Sequence, residues 1–215
     1  MSDPASDPAL RADPRHGGAF TLPPCRRGAV VGVLGGSFDP PHAGHVHITR
    51  EALKRFGLDT VWWLVSPGNP LKAHGPAPLA RRMQAARDIM QDPRVHISDF
   101  EAQIGARHTA LTLAALRSAR RDVNFVWLMG ADNMVQFHHW QDWRQIMETV
   151  PVGILARPGA RLAARASVAA RMYERARVPT THARMLGHMK APAWCFANVP
   201  MLAMSSTRLR EAGAW

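Results

Sequence analysis

Ala29-Val30-Val31-Gly32-Val33-Leu34-Gly35-Gly36-Ser37-Phe38-Asp39-Pro40-Pro41-His42-Ala43-Gly44-His45 is the stretch whose reading decides the fold. Its first six residues are apolar and rich in β-branched side chains, which predicts a buried strand. Gly35 and Gly36 then let the backbone turn tightly and approach a ligand. Asp39-Pro40-Pro41 sets up a helix start, with Asp39 as the expected cap and prolines that need no amide partner. From residue 43 to 56, Ile48, Ala52 and Phe56 recur at spacing four, one face of a helix. His42 and His45 lie three apart, so in a first helical turn they point the same way. The free amides and positive dipole end of such a turn favour anions, and two imidazoles there can donate to phosphate oxygens. The G-x-G-x-x-G and G-x-x-x-x-G-K-[ST] patterns are both absent after this strand, so any phosphate site is built another way.

Working outward, Thr60–Val65, Val95–Ile97 and Asn124–Met129 read as strands, Val150–Leu155 as a weaker strand whose Pro151 suits a start or an edge, and Ala193–Ala197 as a last short strand. Helices are expected over Leu79–Met90, 109–120, 162–177 and Ser205–Ala212, with a Pro/Gly-rich loop from Ser66 to Pro78. Strands alternating with helices predict an α/β fold, Rossmann-like and doubly wound, with a mainly parallel sheet and helices on both faces. In such sheets ligands sit at the carboxyl ends of the strands, where strand order reverses. Residues 29–215 are expected to form one domain, and residues 1–28, rich in Pro, Asp and Ala, a disordered N-terminal tail.

The 215 residues are 47% hydrophobic, which suits a globular chain with a sizeable core. No apolar run reaches membrane-span length, and Met1–Pro24 lacks the apolar segment of a secretory signal. The net charge is +11, and of 27 basic residues only Lys54, Lys72 and Lys190 are lysines. A basic surface suits anionic ligands. The absence of Arg/Lys blocks and of interleaved aromatics argues against nucleic acid as a partner. Cys25 and Cys195 are the only cysteines, which fits a reducing, cytoplasmic setting and excludes a cysteine-based zinc site.

Near the other end, Ser205-Ser206-Thr207-Arg208-Leu209-Arg210 places three hydroxyls at a helix start, followed by two guanidiniums that can grip phosphate. Asp132, just beyond a strand end, can accept from ribose hydroxyls, and by itself fits a helix cap equally well. Trp140 offers a flat face to an aromatic ligand, or to the core. Trp62, Trp63, Trp127 and Trp194 fall in apolar strands and are expected in the core. His47 reads as a plain surface residue. The stretch holding His182, Arg184, His188 and Lys190 reads as a basic surface, or as a flank of the site.

The string from Gly35 to His45 resembles the signature of the HxGH nucleotidyltransferase superfamily, with His42-Ala43-Gly44-His45 as that motif. The Ser205–Arg210 string is similar to its S-S-T-x-x-R element. The intervening residues resemble the bacterial nicotinate-nucleotide adenylyltransferase family from about residue 29 to 212. Pro67-Gly68-Asn69-Pro70-Leu71-Lys72 is similar to its proline-rich loop, His108-Thr109-Ala110-Leu111-Thr112-Leu113 to its Y-T-x-x-T-L segment with histidine in place of tyrosine, and Gly130-Ala131-Asp132 to its G-x-D turn. Trp140 and Arg157-Pro158-Gly159 fall at matching positions.

The resemblance implies that the 5′-phosphate of nicotinic acid mononucleotide attacks the α-phosphorus of ATP, giving deamido-NAD and pyrophosphate. It implies His42, His45 and Arg210 as catalytic residues. Gly35, Gly36, Ser37, Phe38, Lys72, Gly130, Asp132, Arg157, Ser205, Ser206 and Thr207 would be ATP contacts, and Thr109 and Trp140 nicotinate-nucleotide contacts. Mg²⁺ would be bound mainly through the ATP phosphates, with no protein metal cage. The first motif alone leaves other acceptors open, among them nicotinamide mononucleotide and phosphopantetheine. A non-catalytic nucleotide- or RNA-binding protein is the remote alternative.

Overall fold

The computed structural model describes residues 10–12, 19–68, 75–156, 161–200, 206–211, 213 and 215. Strands β1 (Leu10–Ala12) and β2 (Ala19–Thr21) form a small antiparallel ladder, Leu10 opposite Thr21. The main sheet begins at β3 (Val30–Gly36), followed by α1 (Ala43–Arg55), β4 (Thr60–Val65), α2 (Leu79–Ile89), β5 (Val95–Ser98) and the short α3 (Phe100–Gln103). The chain then returns through α4 (Thr109–Ala119) to β6 (Asn124–Gly130), α5 (Ala131–Gln136), α6 (Trp143–Thr149) and β7 (Val152–Ala156). It closes with α7 (Arg161–Arg165), α8 (Val168–Met172), β8 (Arg177–Val178), a 3₁₀ stretch at Thr180–His188, β9 (Trp194–Asn198) and α9 (Ser206–Glu211).

Seven strands pair in the order β5-β4-β3-β6-β7-β9-β8. All pairings in this sheet are parallel. The strands read as unbroken apolar runs because both faces are covered. On one face Val31, Val33, Trp62, Leu64, Trp127 and Ile154 pack against α4, α5, α6 and α8. On the other, Val30, Leu34, Val61, Trp63, Leu128 and Leu155 pack against α1, α2 and the 3₁₀ stretch. This is the doubly wound α/β architecture expected from the alternation. Strand order reverses between β3 and β6, where Leu34 lies opposite Leu128, so Gly35-Gly36 and Gly130 leave the sheet side by side. That reversal opens the crevice in which this class of sheet places its ligands.

Two local expectations are corrected. Residues 19–28 belong to the folded body, not to a tail. Phe20 and Leu22 are 4% and 2% exposed, and Phe20 meets Phe100 edge-on at 5.2 Å. Their spacing of two puts both on the inner face of an extended segment, which outweighs the Pro- and Ala-rich composition. Pro151 immediately precedes β7, the strand-start placement of the two expected, and β7 is interior, held between β6 and β9. The 162–177 segment is not one helix: Ser167 Oγ accepts from the Ala170 amide at 3.2 Å and restarts the chain as α8. The last strand in sequence, β9, lies inside the two-residue β8, which forms the sheet edge.

Among the described residues, no helix is long and apolar enough to cross a membrane. The 3₁₀ stretch with His182, Arg184 and His188 packs beneath Val30, at the amino end of β3 and away from the crevice. It does not flank the crevice.

Candidate active site

His42, not Asp39, caps α1. It is 4% exposed, and its Nδ1 accepts from the Gly44 amide at 3.0 Å. The His42 amide in turn donates to Nδ1 of His45 at 3.2 Å. Both Nδ1 atoms accept, so each neutral ring carries its proton on Nε2. The two rings lie 4.0 Å apart. The chain thus satisfies its first-turn amides with the imidazoles themselves, which fixes the two rings relative to the helix start.

Behind them runs a stack of aromatic rings. His45 packs on Phe38 at 4.8 Å, and Phe38 stacks on Trp63 at 4.8 Å and 18°. The Trp63 indole donates to Thr49 Oγ1 at 2.8 Å, which ties the stack to α1. Phe38 is 1% exposed with φ of +47°, a left-handed conformation that costs a non-glycine residue about 1–3 kcal/mol. It forms the wall behind the histidines.

Asp39 serves a different purpose from capping. Its Oδ1 accepts from the Ala77 amide at 3.2 Å and from the Trp215 indole at 2.6 Å. Its backbone carbonyl accepts from the guanidinium of Arg210, whose Nη1 also lies 3.8 Å from Asp39 Oδ2. Ser206 Oγ donates to the Pro40 carbonyl at 2.9 Å. Through these contacts α9 docks on the turn that immediately precedes His42. The structure therefore brings together the two strings read at opposite ends of the sequence. Thr207 lies in α9. Lys72, Arg157 and Ser205 lie outside the described residues.

Gly35 and Gly130 are glycines because of close approach. A Cβ on Gly35 would stand 2.6 Å from the Trp127 ring, and one on Gly130 would overlap the Asp132 carboxylate. Asp132 is exposed in the first turn of α5, whose cap residue is Gly130, so its carboxylate folds back over the strand end rather than capping the helix. Ser37 is exposed at the mouth of the turn.

Thr109 and Trp140 share a cavity of about 290 Å³ with Arg107, His108 and Gln141. Trp140 is half-buried, packed edge-on against Phe137 at 5.3 Å and Trp127 at 6.4 Å, so one edge serves the core while the side chain lines the cavity. Beneath Thr109, Thr112 Oγ1 donates to Glu101 at 3.0 Å, and burial pushes the Glu101 carboxyl above its ordinary range.

The sequence reading missed Arg82. It is fully buried on α2 and donates to the carbonyls of Ala77 and Ser37 at 2.6 Å each, of Ser66 at 2.8 Å and of Pro67 at 3.4 Å. Burial pulls its pKa down, with Asp39 opposing. One guanidinium thus ties the Ser37 turn to both ends of the 66–77 loop. The signal was present: Arg82 and Ala86 lie four apart on the core face of α2, and a cation there requires acceptors. His47, read as a plain surface residue, instead meets the Pro200 carbonyl at 3.0 Å.

Residues 33–212 match the family model described as cytidylyltransferase-like. A probable nicotinate-nucleotide adenylyltransferase of Ruegeria pomeroyi is 65% identical over 194 residues, covering 90% of this chain and 91% of the relative. One from Parvibaculum lavamentivorans is 49% identical, covering 87% and 94%. Among solved structures, the Plasmodium falciparum nicotinic acid mononucleotide adenylyltransferase complexed with NaAD shares the fold, with a TM-score of 0.64 over 85% of this chain and 83% of that one, at 15% identity. With its paired histidine cap at the strand crossover and relatives this similar over nine-tenths of its length, the chain belongs to the nicotinate-nucleotide adenylyltransferase family.

Proposed function

We propose that this chain transfers the adenylyl group of ATP to nicotinic acid mononucleotide, releasing pyrophosphate and forming deamido-NAD. The observation that carries this reading is the docking of α9 on the Asp39–Pro40 turn, which ties Arg210 to the turn leading directly into the mutually capped His42 and His45 at the crossover of the sheet.

A 5′-phosphate oxygen of the acceptor attacks the α-phosphorus of ATP, and the bond from that phosphorus to the oxygen bridging to the β-phosphate breaks. The attacking oxygen is already anionic near neutral pH, so no strong base is required. The protein's task is placement and charge stabilisation. His42 and His45 present Nε2 protons to the phosphates. Gly35, Gly36, Ser37 and Phe38 shape the turn that receives them. Arg210, with Ser205, Ser206 and Thr207, holds the departing pyrophosphate, and Lys72 and Arg157 are further ATP contacts. Gly130 lets the backbone pass close to the nucleotide, and Asp132 accepts from ribose hydroxyls. Thr109 and Trp140 receive the pyridine end of the acceptor.

Mg²⁺ would be held at the site mainly through the triphosphate of ATP. Phosphate oxygens and water would supply most of its donors. When bound, it lowers the negative charge that the leaving group must carry. The two free thiols, Cys25 and Cys195, suit a cytoplasmic location.

The test is pyrophosphate release with ATP and Mg²⁺ across nicotinic acid mononucleotide, nicotinamide mononucleotide and phosphopantetheine. The nicotinate acceptor should give the highest kcat/KM. A higher value with phosphopantetheine, or no release with either pyridine nucleotide, overturns the assignment.

A further inference from the structure

The acceptor cavity contains a cation that the reading above leaves without a role. Arg107 is exposed and sits on the wall between two hollows. One is the 290 Å³ cavity it shares with His108, Thr109, Trp140 and Gln141. The other, of about 500 Å³, is bounded by the two ends of the 66–77 loop, Pro67-Gly68 and Gly75-Pro76, and by Ala102, Gly105 and Ala106. Its neighbours make clear that the position is not structural. Arg107 forms no hydrogen bond or ion pair with any described residue, whereas the exposed Arg26 and Arg94 pair with Asp59 and Asp92 at 2.7 and 2.8 Å. Glu101, six residues earlier in α3, is engaged by the Thr112 hydroxyl.

Resting on the adenylyl-transfer reading, we infer that Arg107 is a specificity-determining residue that selects a pyridine carboxylate over the corresponding carboxamide. The acceptor carries anions at both ends. Its 5′-phosphate must face His42 and His45, which leaves the ring substituent at the Thr109–Trp140 end. A hydroxyl such as that of Thr109 can donate or accept, so it serves a carboxylate and a carboxamide equally. An aromatic face such as that of Trp140 stacks on either ring. A guanidinium only donates, in a planar fork matched to two carboxylate oxygens. A carboxamide offers it one oxygen and an NH₂ group it cannot satisfy. Among the described residues of this wall, Arg107 is the side chain of fixed positive charge, and that charge separates the two substrates. A single charge-assisted contact of this kind is worth about 10- to 100-fold in binding.

The experiment measures kcat and KM for nicotinic acid mononucleotide and nicotinamide mononucleotide with the full chain, Arg107→Ala, Arg107→Lys and His108→Gln. In Arg107→Ala the ratio of kcat/KM, nicotinate over nicotinamide, should fall about 10- to 100-fold, carried by a higher KM for the nicotinate substrate. Arg107→Lys should restore part of it, since a lysine keeps the charge without the fork. An unchanged ratio in Arg107→Ala overturns the inference, as does a ratio that collapses in His108→Gln alone. If the unmodified chain turns over neither nucleotide, it is the adenylyl-transfer reading that has failed. An exposed side chain with no partner leaves no folding defect to confuse the result.

Discussion

His42 and His45 cap each other: the amide of His42 donates to the His45 ring, and the His42 ring accepts from the amide two residues on. The same two nitrogens that finish the helix therefore set which ring atom carries the proton toward the ligand. The residues differ in burial, since His42 is 4% exposed while His45 is only half-buried.

This difference separates two variants. His45→Ala should lower the rate of the chemical step by about 10²–10³, the loss expected for one preorganised donor, and change the melting temperature little. His42→Ala should lose a similar amount of activity and also remove a helix cap worth about 1 kcal/mol, shifting Tm down by about 2–4 °C. Steady-state kinetics and thermal melts check both. Wild-type turnover in a folded His45→Ala protein would sink the catalytic assignment.

Arg82 provides a second test. Replacing it with Met keeps much of the volume but leaves the carbonyls of Ser37, Ser66 and Ala77 without their donor inside the protein. Removing one side of a buried charged network costs about 3–5 kcal/mol. Arg82→Met should melt well below wild type, and at temperatures where it remains folded its KM for ATP should rise because the Ser37 turn loses its anchor. An unchanged melting curve would show that the clamp contributes nothing.

The thiols give a third. Burial raises the pKa of both, that of Cys195 to about 11. A raised thiol pKa leaves less thiolate at any given pH, so alkylation slows. At pH 7.5 an alkylating reagent should leave Cys195 unmodified in the folded protein and react with it only after unfolding. Cys25, half-buried, should react first but more slowly than a free cysteine. The two pack on opposite faces of the sheet, so no disulfide forms between them and reductant should leave the mass unchanged. Mass spectrometry with and without denaturant reads all three outcomes, and rapid native labelling at Cys195 would contradict its burial.

Much of the fold was legible because buried parallel strands are written as apolar runs: β3, β4, β5 and β6 fall within about a residue of where Val, Leu and Trp concentrate. Several features were not legible, each for a physical reason. β2 and its flank look unstructured by composition, since Phe20 and Leu22 carry the burial and are followed by Pro23-Pro24 and the charged Arg26-Arg27. The two-residue β8 has no pattern of its own and exists only because β9 offers an edge. At the site, the Gly35–His45 string foretold a helix start and two convergent imidazoles. It did not show that His42 would displace Asp39 as cap, because that depends on the ring orientation and on Asp39 being engaged by Ala77 and Trp215. Arg82 was overlooked for the opposite reason: an arginine in an arginine-rich chain draws no notice until its helical face is worked out.

Arg210 meets a carbonyl 171 positions earlier in the chain. During synthesis, the turn at Asp39–Pro40 is complete long before its partner helix has been made, and it stays a half-built pocket until then. A chain interrupted anywhere before α9 lacks both Ser206 and Arg210 and leaves the Pro40 and Asp39 carbonyls without those donors. The join between the two ends of the chain is thus made late and all at once, as a property of chains that have been made through to that helix.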